Sequence, residues 1–306
     1  MTWLCNLVVK SVWLAVLLFV SLRVAADSVG EMSSIVIDAD SGAVLSEVKA
    51  DVPWYPASLT KLMTLYVTFQ SLERGDIRLS DKMRVSGNAA NQPPKKLGIS
   101  IGDTLTVEQA IKAVSTISAN DVSVALAEFV AGSEKQFVGR MNAQAKAMQM
   151  DETFFVNPHG WPDKAQLTSA RDMAILARQL LVRYPDYYHY LSSPSFYYEG
   201  QSYTSHNRFV FSYDGADGMK TGYTCSSGYN LVASAVRGGD RLIGVVMGAA
   251  SLDQRYEYAV EVMDAGFEKG VDAPGLRLLS WRGSRALSLK APQVKFGGGC
   301  INLSQQ

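Results

Sequence analysis

The sequence has very little cysteine or histidine and no surplus of charge of either sign. Its three histidines (His159, His189 and His206) are scattered with no metal-ligand spacing, so the reading calls for no metal and no cofactor. Lysine plus arginine number 29 against 29 aspartate plus glutamate, which leaves no basic footprint for a nucleic-acid partner. The three cysteines (Cys5, Cys225 and Cys300) are too few for a disulfide scaffold. Cys225 has no local histidine-bearing motif, which argues against a thiol nucleophile and leaves it as a packing residue or half of a disulfide. No repeat or low-complexity stretch precedes the tail.

The one long apolar run is at the start. Lys10 closes a weakly charged segment, Ser11 to Leu22 is almost wholly apolar, and Val24-Ala25-Ala26 offers small residues for cleavage. A membrane span needs about 20 apolar residues, and Lys10 and Arg23 leave too few between them. Residues 1–26 therefore read as an export signal, with an uncleaved anchor as the alternative. Its removal takes Lys10, Arg23 and Cys5 and leaves 27 basic against 29 acidic residues. The expected location is the periplasm or cell envelope.

The remainder is long enough for one domain, expected over residues 27–270. Ser33 to Asp38 and Ala43 to Val48 read as strands joined at Asp40-Ser41-Gly42. Ser58 to Glu73 reads as a helix, with apolar residues recurring at three- and four-residue steps. Further helices are expected over Thr106–Thr116, Asp121–Val130, Ser133–Met150 and Thr168–Arg183, with Thr106 and Thr168 as caps. Phe196–Glu199, Arg208–Ser212 and Gly218–Thr221 read as extended. Asn230–Val236 and Arg241–Met247 flank the clearest hairpin turn, and Leu252–Lys269 closes the domain as a helix. Strands at both ends with helices between them predict a mixed α/β fold with a mainly antiparallel sheet. Residues 271–306 form a basic extension too short for a second domain. It reads either as a weak membrane-surface contact or as a frayed extension or remnant strand; Gly283 and Pro292 favour the latter.

Three short motifs carry chemistry. Ser58-Leu59-Thr60-Lys61 puts a hydroxyl and an amine three residues apart at a helix start, on one face. Serine becomes a nucleophile only when a base takes its proton, and lysine serves only if burial or a second cation lowers its pKa. Lys220 is a candidate for that cation. Ser118-Ala119-Asn120 lies between two helices: its serine can relay a proton and its asparagine can bond a substrate amide, although a capping serine is the commoner fate. Lys220-Thr221-Gly222 ends an extended segment, where an ammonium and a hydroxyl can hold a terminal carboxylate. The amides of Ser58 and Tyr223 are candidates for an oxyanion hole. This inventory suits acyl transfer from a peptide with a free carboxylate.

With these motifs in this order, the chain resembles the serine-type D-alanyl-D-alanine carboxypeptidases, the low-molecular-mass penicillin-binding proteins. The resemblance runs from about residue 32 to residue 269. Beyond the trio it includes Ile37 to Gly42, Pro56 to Thr64, Phe155-Val156-Asn157-Pro158-His159-Gly160, Ser169 to Ala174, Gly218 to Thr224 and Gly228 to Ala235. It implies a five-stranded, mainly antiparallel sheet flanked by helices, with an inserted helical region carrying Ser118-Ala119-Asn120. It implies Ser58 as the acylated nucleophile, Lys61 as its base and Ser118 as proton relay, with Lys220, Asn120, Thr221 and Tyr223 binding substrate. The implied substrate is a peptidoglycan stem peptide ending in D-Ala-D-Ala, and β-lactams are implied as covalent inhibitors.

Three departures stand out. No full second domain follows Lys269, Trp161 stands where leucine is usual, and Ala249-Ala250-Ser251 lacks an arginine that some relatives carry. A β-lactamase, an endopeptidase or a transpeptidase would use the same trio. No Glu-x-x-Leu-Asn segment lies between Asn120 and Lys220, which argues against a class A β-lactamase. A non-enzymatic penicillin sensor usually needs further membrane spans, and none follows residue 26.

Overall fold

The structure, a computed structural model, describes residues 32–274 and 277–279. The expected export signal and almost all of the basic extension, including Cys300, lie outside the described residues. The expected hairpin is present as β1 (Ser33–Asp38) and β2 (Ala43–Val48). Its turn is closed by the Asp38 carboxylate, which accepts the Ser41 amide at 2.7 Å and the Ser41 hydroxyl.

A 3₁₀ turn, Ala57–Leu59, leads into α1 (Thr60–Glu73), which is buried on nearly every side, from Thr60 through Phe69. A helix with so little solvent face is an internal strut rather than a surface element. Next come β3 (Lys82–Arg84), the short helix α2 (Gly87–Ala90) and β4 (Thr104–Thr106), with β3 and β4 paired. The helical region follows: α3 (Val107–Thr116), α4 (Asn120–Ala131) and α5 (Glu134–Ala147). Thr106 caps α3 as expected, in a reciprocal box with Gln109.

After α6 (Ala170–Arg183) comes α7 (Pro185–Ser192), then β5 (Ser195–Tyr198) paired with β6 (Gln201–Thr204), and the single turn α8 (Phe209–Ser212). The chain returns to the main sheet as β7 (Ala216–Thr224), β8 (Gly228–Arg237) and β9 (Asp240–Ala249). It then runs through α9 (Leu252–Lys269) to the two-residue β10 (Arg277–Leu278).

The five long strands lie in the order β2-β1-β9-β8-β7, all antiparallel, and β10 adds a short edge beside β2. The strand alternation assigns the two faces. Val36 of β1 packs where Gly266 of α9 comes closest, while Ile35 and Ile37 join the core shared with α1 and α6. β7 is the far edge of the sheet, with its outer side toward the 3₁₀ turn at Ser58. No helix among the described residues is long and apolar enough to cross a membrane.

Four expectations need correction. Ser58 lies in the 3₁₀ turn and not in the helix itself, because Ala57 has φ +48° and bends the chain just before α1. The cap of α6 is Ser169, which accepts the Asp172 amide, whereas Thr168 pairs its backbone with Trp54. Arg208–Ser212 is not extended: Asn207 accepts the Phe209 amide and a helical turn follows. The helix expected to run to Met150 stops at Ala147.

Arg171, in the first turn of α6, is buried and ties three segments together. Its Nε donates to Asp51 at 2.6 Å, its Nη2 bonds Glu47, and its Nη1 reaches the Leu279 carbonyl at 3.3 Å. Its carboxylate partners are about one-fifth exposed and can rehydrate when the arginine is lost, which moderates the cost. Arg171→Met should therefore destabilise the fold by about 2–3 kcal/mol, read as a lower urea midpoint at unchanged m-value, with Asp51→Asn costing less. An unchanged midpoint for Arg171→Met would show that this ion-pair cluster does not hold β2 and α6 together.

Candidate active site

Ser58 is set by backbone packed on both sides of it. A Cβ at Gly160 would lie 1.9 Å from the Ala57 carbonyl oxygen and 2.9 Å from the Ser58 amide. One at Gly222 of β7 would lie 3.2 Å from the same amide. Only glycine permits the first approach and the second leaves little room for a side chain, so the Ser58 N–H is held between the 157–161 loop and the edge strand. From β8, the buried Asn230 donates to the carbonyls of Tyr55 (3.0 Å) and Pro56 (3.3 Å) and accepts the Gly248 amide at 3.0 Å. The Trp54 indole donates to the Ser227 carbonyl at 2.8 Å. The sheet therefore fixes the chain entering the Ser58 turn.

One turn on, Lys61 is fully buried. Its Nζ donates to Ser58 Oγ at 3.2 Å, to Asn120 Oδ1 at 2.7 Å and to the His159 carbonyl. Burial holds its pKa well below the ordinary lysine value, and the charges of Lys220 and Lys95 lower it further against the opposing pull of Asp121. A neutral amine here can take the Ser58 proton. The His159 imidazole is buried beside it and kept neutral, its pKa pushed down to about 3 by burial and then by the Lys61 charge. Its Nδ1 accepts the Trp161 amide at 3.1 Å.

Ser118 caps no helix, because the N-cap of α4 is Ala119, which makes no side-chain cap bond. Ser118 has φ +63°, and its buried Oγ has no hydrogen-bond partner among the described residues. A left-handed non-glycine backbone and an orphaned buried hydroxyl each cost on the order of 1–3 kcal/mol. Asn120 behaves as a brace: its Nδ2 donates to Pro93 (3.0 Å) and Pro94 (3.1 Å) while its Oδ1 accepts from Lys61. Its amide protons are thus spent inside the protein, and only a lone pair on Oδ1 is left for a substrate amide. The neighbouring Asp121 carboxylate accepts the amides of Leu97, Gly98, Ile99 and Val122, pinning the loop beside this brace.

Across the site, Lys220 is buried with its Nζ on the Thr221 carbonyl at 3.0 Å, and Thr221 is itself buried. The Lys220 pKa is lowered to about 7, first by burial and then by Lys95 and Arg255. The sequence reading missed Arg255. It is buried in the first turn of α9, with Nη2 donating to Tyr256 Oη at 2.7 Å and Nε without a hydrogen-bond partner among the described residues. The available signal was a cation three residues after the Ser251 cap's first helical residue, where the helix dipole disfavours positive charge. Lys220 and Lys95 thus act on Lys61, and Lys95 and Arg255 act on Lys220, a concentration of positive charge around the site suited to an anionic ligand. Tyr223, next to Gly222, is 46% exposed, with its ring 4.2 Å from that of Tyr229. Cys225, two residues on, is disulfide-bonded. Among the described residues, no group of three or more histidine, cysteine or acidic side chains is placed to hold a metal ion.

A family model described as D-alanyl-D-alanine carboxypeptidase (peptidase S11) matches residues 21–251. The chain is 39% identical over 251 residues to D-alanyl-D-alanine carboxypeptidase DacC of Escherichia coli, covering 80% of this chain and 63% of that one. It is 36% identical over 246 residues to DacF of Bacillus subtilis, covering 78% and 62%. It therefore spans about three-fifths of the length of these curated relatives. Among solved structures, penicillin-binding protein 5 of Haemophilus influenzae superposes with a TM-score of 0.75 at 34% identity, covering 77% of this chain and 70% of that one. Penicillin-binding protein D2 of Listeria monocytogenes, in its ampicillin-bound form, superposes at 0.71 and 29% identity, covering 77% and 96%. By family match, identity and fold together, this chain belongs to the D-alanyl-D-alanine carboxypeptidase family.

Proposed function

We propose that the protein is a serine D,D-carboxypeptidase that removes the terminal D-alanine from peptidoglycan stem peptides ending in D-Ala-D-Ala. The observation that carries this reading is the buried Lys61 amine 3.2 Å from Ser58 Oγ, within electrostatic reach of Lys220, which Arg255 in turn influences. Lys220, Thr221 and Arg255 hold the substrate carboxylate. Neutral Lys61 takes the Ser58 proton as Oγ adds to the carbonyl carbon of the penultimate D-alanine. The Ser58 and Tyr223 amides receive the oxyanion. The C–N bond then breaks, the proton passes through Ser118 to the departing amine, and D-alanine leaves. Water hydrolyses the remaining ester and restores Ser58.

β-Lactams acylate the same hydroxyl, in keeping with the ampicillin- and cefotaxime-bound forms of the Listeria monocytogenes relative. The segment packed on Ser58, Asn157 to Trp161, contains no carboxylate that could activate a deacylating water in the class A manner, which favours capture of penicillin over rapid turnover. Residues 1–26 direct export, and the enzyme works in the cell envelope on residues 27–270.

Ser58→Ala should abolish both covalent penicillin labelling and D-alanine release from a D-Ala-D-Ala pentapeptide, read by intact mass and by amino-acid assay. Labelling that persists in this variant would remove Ser58 as the nucleophile.

The pH profile follows from Lys220. A carboxylate anchor must be charged, so kcat/KM should fall as pH rises through about 7 in the free enzyme. Lys220→Arg stays charged throughout and should carry that falling limb at least one pH unit higher. A limb that does not move would place the carboxylate elsewhere.

A further inference from the structure

Among the described residues, Arg255 is a buried cation held by neutral groups alone. Its Nη1 donates to the Asn230 carbonyl at 3.3 Å and its Nη2 to Tyr256 Oη at 2.7 Å, while Nε has no hydrogen-bond partner and no carboxylate pairs with the guanidinium. A buried charge is ordinarily paired, as Arg171 is with Glu47 and Asp51. Neutral acceptors occupy N–H groups without cancelling the charge, so Arg255 keeps its charge for an anion from outside.

The sheet fixes where that charge sits. Asn230 is the register partner of Gly222 on β7, two residues from Lys220, and it falls where β8 slips register against β9, between Tyr229 and Leu231. The guanidinium that bonds the Asn230 carbonyl therefore lies beside β8 at the level of Gly222, and its charge is felt at Lys220.

Tyr256 supplies the other half of the hold. Its hydroxyl accepts from Arg255 Nη2, accepts the Arg208 amide at 3.0 Å and donates to the His206 carbonyl at 3.4 Å. Its ring lies against the guanidinium, with the centroid 4.4 Å from Cζ. The His206 amide in turn donates to the Thr116 carbonyl at 3.2 Å, two residues before Ser118. One phenol thus joins the first turn of α9 to the 206–208 segment and, through it, to the Ser118 side of the site. The bonds to Arg208 and His206 lie at solvent, where water can replace them, so they add little to stability. Water cannot replace the fixed direction of the guanidinium. An arginine side chain carries about 2 kcal/mol of rotamer entropy, and one that is already held loses less of it when a ligand binds.

We propose that Tyr256 is a positioning residue for carboxylate recognition: its hydroxyl aims the Arg255 guanidinium at the terminal carboxylate and locks it to the 206–208 segment. This rests on the reading given under the proposed function, since it takes Lys220 and Arg255 as the carboxylate end of the site. Tyr256 itself touches neither the substrate nor the reacting atoms.

The test uses two thioesters of one N-acyl-D-alanine, one with a thioglycolate leaving group and one with the methyl ester of that group, so that only the terminal carboxylate differs. Ser58 Oγ bonds to the D-alanyl carbonyl carbon, the C–S bond breaks, and the released thiol is measured. The wild-type protein should favour the free acid in kcat/KM. Tyr256→Phe keeps the ring against the guanidinium and should lower that preference by roughly three- to tenfold, chiefly through KM. Arg255→Ala should lower the preference by itself, and adding Tyr256→Phe to it should lower it no further. If Arg255→Ala does not fold, Arg255→Lys, which keeps the charge without the planar fork, takes its place. A preference unchanged in Tyr256→Phe, or one that falls as much in the Arg255 variant as in the wild type, overturns the positioning role. A wild-type protein with no preference between the two overturns Lys220 and Arg255 as the carboxylate end, and one that cleaves neither overturns the active-site reading itself.

Discussion

A lysine ammonium buried without compensation costs several kcal/mol, and the protein buries Lys61 completely in the first turn of its central helix. Three separated segments supply its partners: the Ser58 turn, the start of α4 through Asn120, and the 157–161 loop through the His159 carbonyl. Each partner needs its own support. Asn120 is braced by Pro93 and Pro94, and the loop is held by Asn157, Gln166 and the bond from Thr64 to the Pro158 carbonyl. The helical region, the central helix and the loop thus converge on one amine. The same burial lowers its pKa, so the packing that satisfies the nitrogen also makes it a base.

A second constraint is the distribution of charge across the cleft. Burial and mutual repulsion lower the pKa values of Lys61, Lys95, Lys220 and Arg255, and Asp121 opposes the shift at Lys61 while its oxygens are occupied by backbone amides. A bound carboxylate would relieve the repulsion around Lys220 and raise its pKa, so ligand charge and protein charge stabilise each other. Ser118 adds local strain beside them, with a left-handed backbone and an orphaned buried hydroxyl, features that gather where a site is pre-organised.

Much of the architecture was legible in the chain because its signals are local. The β1–β2 hairpin, the Thr106 capping box of α3 and the whole of α9 follow from turn residues, caps and periodicity. The failures are equally physical. α7 was not foreseen because its Tyr-rich segment shows no stripe; it is held by ring contacts such as Phe69–Tyr187 at 5.0 Å. Thr168 and Ser169 are both competent caps, and the choice between them was made by the pairing of Thr168 with Trp54.

The sequence by itself determined the motif inventory, the mixed α/β pattern and the family resemblance, since these rest on residue type, order and spacing. Only the tertiary structure decided what those residues face. Lys61 and Asn120 are 59 positions apart and meet through a hydrogen bond, and that contact turns the Asn120 side chain inward. Arg255 lies 35 positions after Lys220 on a different element, yet its charge reaches the same cleft. Spacing along the chain carries no information about such approaches, because the burial and charge repulsion that tune these groups exist only once distant segments have packed together.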